Sequence, residues 1–317
     1  MKAAIVTEVG KTPICSDFKN PIAASGEHHI DVAAAALSHL VRGRASGSHY
    51  SSSGELPFVV GVDGVGRLES GERVYFVLPN APFGSMAEVA TAPFAQCLHL
   101  PEELDDVTAA AIAIPGMSSW AAYKERAKLQ AGETVLVNGA TGASGRLAVQ
   151  IAKYLGAKKV IATGRNPEAL QSLTALGADV VIPLTLGADA LEAAFQEQFA
   201  AGVDVVADYL WGKSAELLLM AGAKAGPEAI PIRFVQIGSI SGENIALPGA
   251  ALRSSAIVLM GSGLKSIPIQ RILSAIDGVL QAAVPGKFEI ATQAIPLSEV
   301  EQSWGIDNGK KRIVFLL

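Results

Sequence analysis

Thr134-Val135-Leu136-Val137-Asn138-Gly139-Ala140-Thr141-Gly142-Ala143-Ser144-Gly145 is the stretch that decides the fold. Val135-Leu136-Val137 is a short, continuous apolar run, as in a strand buried on both faces. Three glycines at 139, 142 and 145 follow, and then a helical pattern from about Ser144 to Leu155. Each glycine answers a separate need. One makes a tight turn, one lets backbone approach a pyrophosphate, and one lets helix and strand pack closely. The unpaired N–H groups at the helix start then face an anion. Strand, glycine turn and helix together predict a dinucleotide site at Gly139, Thr141, Gly142, Ala143, Ser144 and Gly145.

Downstream, short apolar runs alternate with helical patterns. Strands are expected at Val160–Ala162, Val180–Ile182, Val203–Ala207, Arg233–Ile237 and Ala256–Met260. Helices are expected near Pro167–Leu176, Ala188–Phe199, Ser214–Ala221 and Pro268–Ala283, and a last strand at Arg312–Leu317. Strand and helix alternating over short loops specify a parallel, doubly wound sheet with right-handed crossovers. The end of the second strand reads Thr163-Gly164-Arg165-Asn166. An NAD site places a carboxylate about 20 residues after the turn; here Arg165 stands there. A guanidinium binds a 2′-phosphate that a carboxylate would repel. The cofactor expected is therefore NADPH, held also by Thr163, Gly164, Arg165 and Asn166.

Upstream, residues 1 to about 117 read as β-rich. Ala3–Thr7, Ile30–Ala35, Val59–Leu68, Arg73–Leu78 and Met86–Ala90 are apolar runs between Gly, Pro and Ser. Gly43–Gly54, with His49 and Tyr50, reads as a surface loop, and Ile114–Trp120 as the link between two domains. The chain's 317 residues suit two domains, and half of them are hydrophobic. The net charge is −5 with no basic block, which argues against a nucleic-acid partner. The apolar N-terminal run is interrupted by Glu8, too early for a signal peptide. No apolar stretch is long enough to suggest a membrane span. Two cysteines, Cys15 and Cys97, make no disulfide framework and suit a reducing cytoplasm.

The run Thr134–Ala157 resembles the medium-chain dehydrogenase/reductase superfamily. So do Gly61-Val62-Asp63-Gly64-Val65-Gly66, Gly71-Glu72-Arg73-Val74, Phe83-Gly84-Ser85-Met86-Ala87-Glu88 and Gly177-Ala178-Asp179. Essentially the whole chain is covered, and the zinc-free quinone oxidoreductase branch is the most similar. The resemblance implies an α/β protein of two domains. A GroES-like β-barrel catalytic domain would span 1–117 and 264–317, and an NADP-binding Rossmann domain 118–263.

Zinc-dependent members carry Gly-His-Glu where this chain has Gly61-Val62-Asp63, and Val62 cannot ligate a metal. Those members carry a Cys near residues 37–39, where Leu37, Ser38 and His39 stand. No four-cysteine lobe can form from two cysteines. No metal site is expected, and without a Lewis acid alcohol oxidation is disfavoured. Hydride donation to a quinone or enone instead puts charge on a delocalised oxygen that a few hydrogen bonds can stabilise.

By the same resemblance, Leu210, Ile237, Gly238, Ser239 and Lys310 approach the cofactor. Ser38 occupies the position of an Asn that polarises a quinone in relatives. Tyr50, and less so His49, would hydrogen-bond a substrate oxygen or supply a proton. Tyr154 and Lys158 have the Tyr-x-x-x-Lys spacing of short-chain dehydrogenases, but Tyr154 falls at the end of the first helix and reads as a packing residue. Met117 and Trp120 read as core, and His28-His29 as a strand entry. The function implied is NADPH-dependent, zinc-independent hydride transfer to a quinone or α,β-unsaturated carbonyl. A non-catalytic NADPH-binding sensor or structural protein, and an alcohol dehydrogenase, are the alternatives. Self-association as a homodimer is expected through the strand at Ala256–Met260.

Overall fold

The computed structural model describes residues 1–48, 55–306 and 311–317. The chain divides into two compact units. One is Met1–Ala113 with Ile290–Leu317, and the other is Ile114–Glu289.

The second unit carries the predicted doubly wound sheet. Its strands are β9 (Thr134–Asn138), β10 (Lys159–Gly164), β11 (Val180–Pro183), β12 (Val205–Asp208), β13 (Ile232–Gln236) and β14 (Ile257–Gly261). All are parallel, in the order β11-β10-β9-β12-β13-β14. The chain moves outward from β9 to β11, returns, and moves outward the other way from β12 to β14. The order therefore reverses between β9 and β12, where ligands of open α/β sheets bind. Helices α3 (Ala143–Tyr154), α4 (Pro167–Gln171), α5 (Ala188–Ala200), α6 (Gly212–Ala225) and α7 (Gly249–Arg253) connect the strands. Leu136, Ile161, Val206 and Phe234 pack against Phe195, Phe199, Leu218 and Leu219 in a core that excludes water.

The first unit is built from β-strands. One sheet of seven strands holds β3 (Glu27–Ala36), β5 (Asp63–Leu68), β6 (Arg73–Val77), β7 (Val89–Pro93), β8 (Cys97–His99), β15 (Thr292–Pro296) and β16 (Arg312–Leu316). A smaller sheet joins β1 (Lys2–Val6), β2 (Ile14–Asp17) and β4 (Phe58–Val59). Pairing is antiparallel except between β15 and β16. This is the two-domain α/β architecture expected, a GroES-like β unit and a six-stranded Rossmann sheet.

Four expectations differ from the structure. The run Val59–Leu68 is two strands, because Gly61 adopts φ +108° between β4 and β5. The supposed loop from Gly43 begins inside helix α1 (His39–Ala45), which Ser38 caps. The supposed link Ile114–Trp120 lies inside helix α2 (Asp106–Ala121), which continues through Pro115. Its start is pinned by Asp105, whose Oδ1 accepts the Thr108 N–H at 2.9 Å. The return to the first unit falls at 289–290 rather than 263–264. Helix α8 (Ile269–Ala283) is the reason: it buries Ile272, Ile276, Val279 and Leu280 within the second unit. There Gly278 packs on the Trp120 ring, and Val279 on Gly116.

Candidate functional site

The glycine turn is built as its spacing implied. Gly139 adopts φ +86°, a conformation that favours glycine. A side chain there would stand 2.7 Å from Leu210 Cγ, so Leu210 packs directly on the turn. A Cβ on Gly145 would overlap the Gly139 carbonyl oxygen and stand 2.6 Å from Ala140 Cα. Helix α3 can start this close to β9 only because residue 145 has no side chain. On Gly164, at the end of β10, a Cβ would overlap the Thr141 methyl. Gly142 is different: nothing lies within 4 Å of where its Cβ would be, and the residue is exposed.

Gly142 is also the N-cap of α3, and no side chain caps the helix. The first intrahelical bond closes from Arg146 N–H to the Gly142 carbonyl at 2.9 Å. The N–H groups of Ala143, Ser144 and Gly145 precede that bond, so the helix end presents donors and the positive end of its dipole. An open approach at Gly142, flanked by glycines that bring backbone close, is the cradle that a pyrophosphate fits.

Beneath the turn lies a polar network that the sequence reading did not single out. Asn138 ends β9 and is fully buried. Its Nδ2 donates to Asp208 Oδ1 at 2.8 Å and to Ser214 Oγ at 2.9 Å. Thr163 Oγ1 donates to Asn138 Oδ1 at 2.7 Å and accepts the Gly139 N–H at 3.1 Å. Asp208 Oδ1 also accepts the Leu210 N–H at 3.0 Å and the Trp211 N–H at 3.1 Å. The ends of β9, β10 and β12 are thus tied across the point where strand order reverses. The only sequence signal was a polar residue closing an otherwise apolar strand, at Asn138 and again at Asp208.

Burial pushes the Asp208 carboxyl above its ordinary pKa, against the opposing pull of the Leu210 N–H, the Asn138 amide and the Trp211 N–H. Trp211 holds φ 58° and ψ −155°. For a residue with a side chain, such a backbone conformation costs about 1–3 kcal/mol. Asp208 stabilises it by taking the Trp211 N–H with both oxygens, at 3.1 and 3.2 Å.

The remaining candidates divide by location. Thr163 is fully buried, and its hydroxyl is used inside the network. Arg165 and Asn166 are exposed beyond it. Asn166 caps α4 by accepting the Ala169 N–H at 2.9 Å. The N–H groups of Ile237 and Gly238 donate to the Asp208 carbonyl at 2.7 and 3.2 Å, which sets them at the same sheet end as the turn. Exposed Ser239 lines an open groove of about 590 Å³ with Trp211, Gln236, Glu243, Leu259 and Met260. In the first unit, Ser38 is buried, and its Oγ accepts the Val41 N–H at 3.1 Å as the N-cap of α1. His49, Tyr50 and Lys310 lie outside the described residues. Tyr154 packs against Phe288 and Trp120, with ring centroids 5.4 and 6.1 Å away. Among the described residues, no group of three His, Cys, Asp or Glu side chains could hold a metal ion.

A family model described as zinc-binding dehydrogenase matches residues 143–276, a stretch with no His and no Cys. A probable NADPH-dependent quinone reductase of Emericella nidulans is 29% identical, with 100% of each chain covered. The quinone oxidoreductase of Homo sapiens is 32% identical over 57% of this chain and 58% of its own length. The Thermus thermophilus quinone oxidoreductase, also solved in complex with NADPH, is 27% identical over all of both chains, with a TM-score of 0.83. With its glycine turn, sheet order and β-rich first unit, this chain is similar to quinone oxidoreductases of the medium-chain dehydrogenase/reductase superfamily.

Proposed function

We propose that this protein is an NADPH-dependent reductase of quinones or α,β-unsaturated carbonyls. The observation that carries the reading is the open glycine cradle at the start of α3, with Arg165 rather than a carboxylate at the end of β10. The backbone N–H groups of Ala143, Ser144 and Gly145 would hold the pyrophosphate, and the Arg165 guanidinium the 2′-phosphate. Thr141, Gly142, Gly164, Asn166, Ile237, Gly238, Ser239 and Lys310 would complete the dinucleotide site, with Leu210 packed behind Gly139. NADPH, when bound, supplies hydride from its nicotinamide C4. Thr163, Asn138 and Asp208 act indirectly: they hold the turn and the Tyr209–Trp211 loop in fixed positions.

Ser38 would hold the acceptor's carbonyl oxygen. Its lone pair already receives the Val41 N–H, so its own proton is left to donate. Tyr50 and His49 are the other candidates for that oxygen or its proton. Val62, where zinc-dependent members carry a ligating His, leaves the polarisation to such hydrogen bonds. Residues 1–113 and 290–317 would carry the acceptor, and residues 114–289, α8 included, the cofactor. A homodimer would form at β14, the outer strand of the sheet, where Val258 and Leu259 are exposed. Unpaired Cys15 and Cys97 fit a reducing, cytoplasmic setting. Among the described residues, no helix is long and apolar enough to cross a membrane.

The test follows NADPH absorbance against a panel of quinones, enals and acyl thioesters. Oxidation by a quinone or enone is expected. Tight NADPH binding without oxidation by any panel member would overturn the catalytic reading. Arg165→Asp is expected to reverse the preference for NADPH over NADH, and an unchanged ratio of KM values would remove Arg165 from the site.

A further inference from the structure

The groove that Ser239 lines holds a carboxylate with no partner. Its walls are Trp211, Gln236, Ser239, Glu243, Leu259 and Met260, and its volume is about 590 Å³. All of them belong to the second unit. Trp211 follows β12, Ser239 follows β13, and Met260 lies near the end of β14. The groove therefore sits at the carboxyl end of the sheet, on the β12–β14 side of the point where strand order reverses. Arg165 follows β10, on the other side of that point. Dinucleotides lie across such a point, one half on each side. With the 2′-phosphate at Arg165, the nicotinamide half falls on the side of the groove.

The walls favour a positive charge. Trp211 offers an aromatic ring, and Glu243 a carboxylate that no hydrogen bond or ion pair reaches from any described residue. No Lys, Arg or His lines the groove among the described residues. Both groups are also held in place. Trp211 keeps its strained backbone through Asp208, and its ring meets Phe234 at 65° with centroids 6.5 Å apart. Glu243 ends a loop tied to the same segment. The Ser241 N–H donates to the Leu210 carbonyl at 2.9 Å, and the Gly242 N–H to the Ser239 carbonyl at 3.2 Å. A Cβ on Gly242 would stand 3.2 Å from Gly212 Cα, so this loop lies against the start of α6.

We propose that Glu243, together with the Trp211 ring, makes the groove prefer the oxidised nicotinamide to the reduced one. The inference rests on the dinucleotide reading above and assigns a charge selectivity to that site. The oxidised ring is a pyridinium with one positive charge, and the reduced ring is neutral. A carboxylate attracts the first and has little hold on the second, and the face of an indole acts in the same sense. Glu243 thus stands ready for the positive charge that hydride donation leaves on the ring.

The test measures the Kd of NADP+, NADPH and adenosine 2′,5′-bisphosphate by calorimetric titration of the full chain. Glu243→Gln removes the charge and keeps the shape. It should weaken NADP+ relative to NADPH by about fivefold, the effect of one charge pair near contact distance in water. The phosphates are common to both forms, so they cancel in the ratio. Glu243→Asp should keep most of the native ratio, whereas a merely structural role would make the two variants alike. Added salt should bring the native ratio toward that of Glu243→Gln. Adenosine 2′,5′-bisphosphate has no nicotinamide and should bind the native chain and Glu243→Gln within about twofold of each other. A ratio unmoved by Glu243→Gln or by salt would overturn the proposal. So would equal effects of the Gln and Asp variants, or a loss for the bisphosphate as large as that for NADP+. If neither dinucleotide binds, the dinucleotide reading falls as well; if both bind with an unmoved ratio, this inference alone falls.

Discussion

Gly142 and Gly145 stand three residues apart in one turn, yet alanine at each should do different things. At Gly145 the new methyl would overlap the Gly139 carbonyl oxygen and stand 2.6 and 2.8 Å from Ala140 Cα and C. These are all backbone atoms, so no flexible side chain can move aside. Ordinary contact begins at 3.4 Å. Helix and turn would therefore have to part by roughly 0.8 Å in a close-packed interior. Overpacking of this kind costs about 1–3 kcal/mol. Gly145→Ala should therefore lower thermal stability and also weaken NADPH binding, because the donors of α3 shift from their positions. At Gly142 the methyl meets nothing within 4 Å, and φ is an ordinary −79°. Gly142→Ala should change stability by no more than about 0.5 kcal/mol. Its methyl nonetheless occupies the open approach to the helix N-terminus, so NADPH should bind about tenfold more weakly. Fluorescence titration of NADPH and calorimetric unfolding measure the two quantities. Native-like affinity in both variants would refute the placement of the pyrophosphate. An equal loss of stability in both would refute the steric distinction between them.

Other consequences are as direct. Thr163→Val keeps the side-chain shape but leaves the half-buried Gly139 N–H and the buried Asn138 Oδ1 without that partner. It should cost about 1–3 kcal/mol in urea unfolding, chiefly from the buried Asn138 oxygen, and no loss would mean that the network carries little. Asp63 is buried against the Tyr75 hydroxyl at 2.9 Å, and burial raises its carboxyl from 3.8 to about 6, with Arg312 and Tyr75 pulling the other way. A carboxyl raised in the folded state is a cost above that value, so stability from this group is gained as pH falls through about 6 toward 4. The difference in unfolding free energy between the native chain and Asp63→Asn should change by about 3 kcal/mol across that window, and a flat difference would contradict it. Val258→Lys with Leu259→Lys charges the exposed edge of β14. By light scattering the native chain is expected to run as a dimer, and the pair should leave a monomer of 32.7 kDa. A dimer retained in the variant would move the interface elsewhere.

The doubly wound sheet was legible because its evidence is local. Apolar runs, glycine spacing and helical periods all involve residues close together along the chain, and each element ends near its expected place. The place of Arg165, exposed just after β10, was legible for the same reason, since it sits at a fixed distance along the chain from the turn. What the sequence could not show are relations made across distance. Asn138, Thr163, Asp208 and Ser214 are separated by up to 76 residues, and only the parallel sheet brings their side chains together. Ser38 read as a polar group for a substrate, but tertiary structure also makes it the cap of α1. The residues from Ile114 to Trp120 looked like a linker because Pro and Gly interrupt them, yet packing against α8 holds them helical. The secondary elements, the glycine turn and Val62 in place of a zinc ligand could be read from the amino-acid order, because these are properties of neighbouring residues. Tertiary structure decided which buried polar groups find partners and which do not, because hydrogen bonds and desolvation are set by neighbours in space.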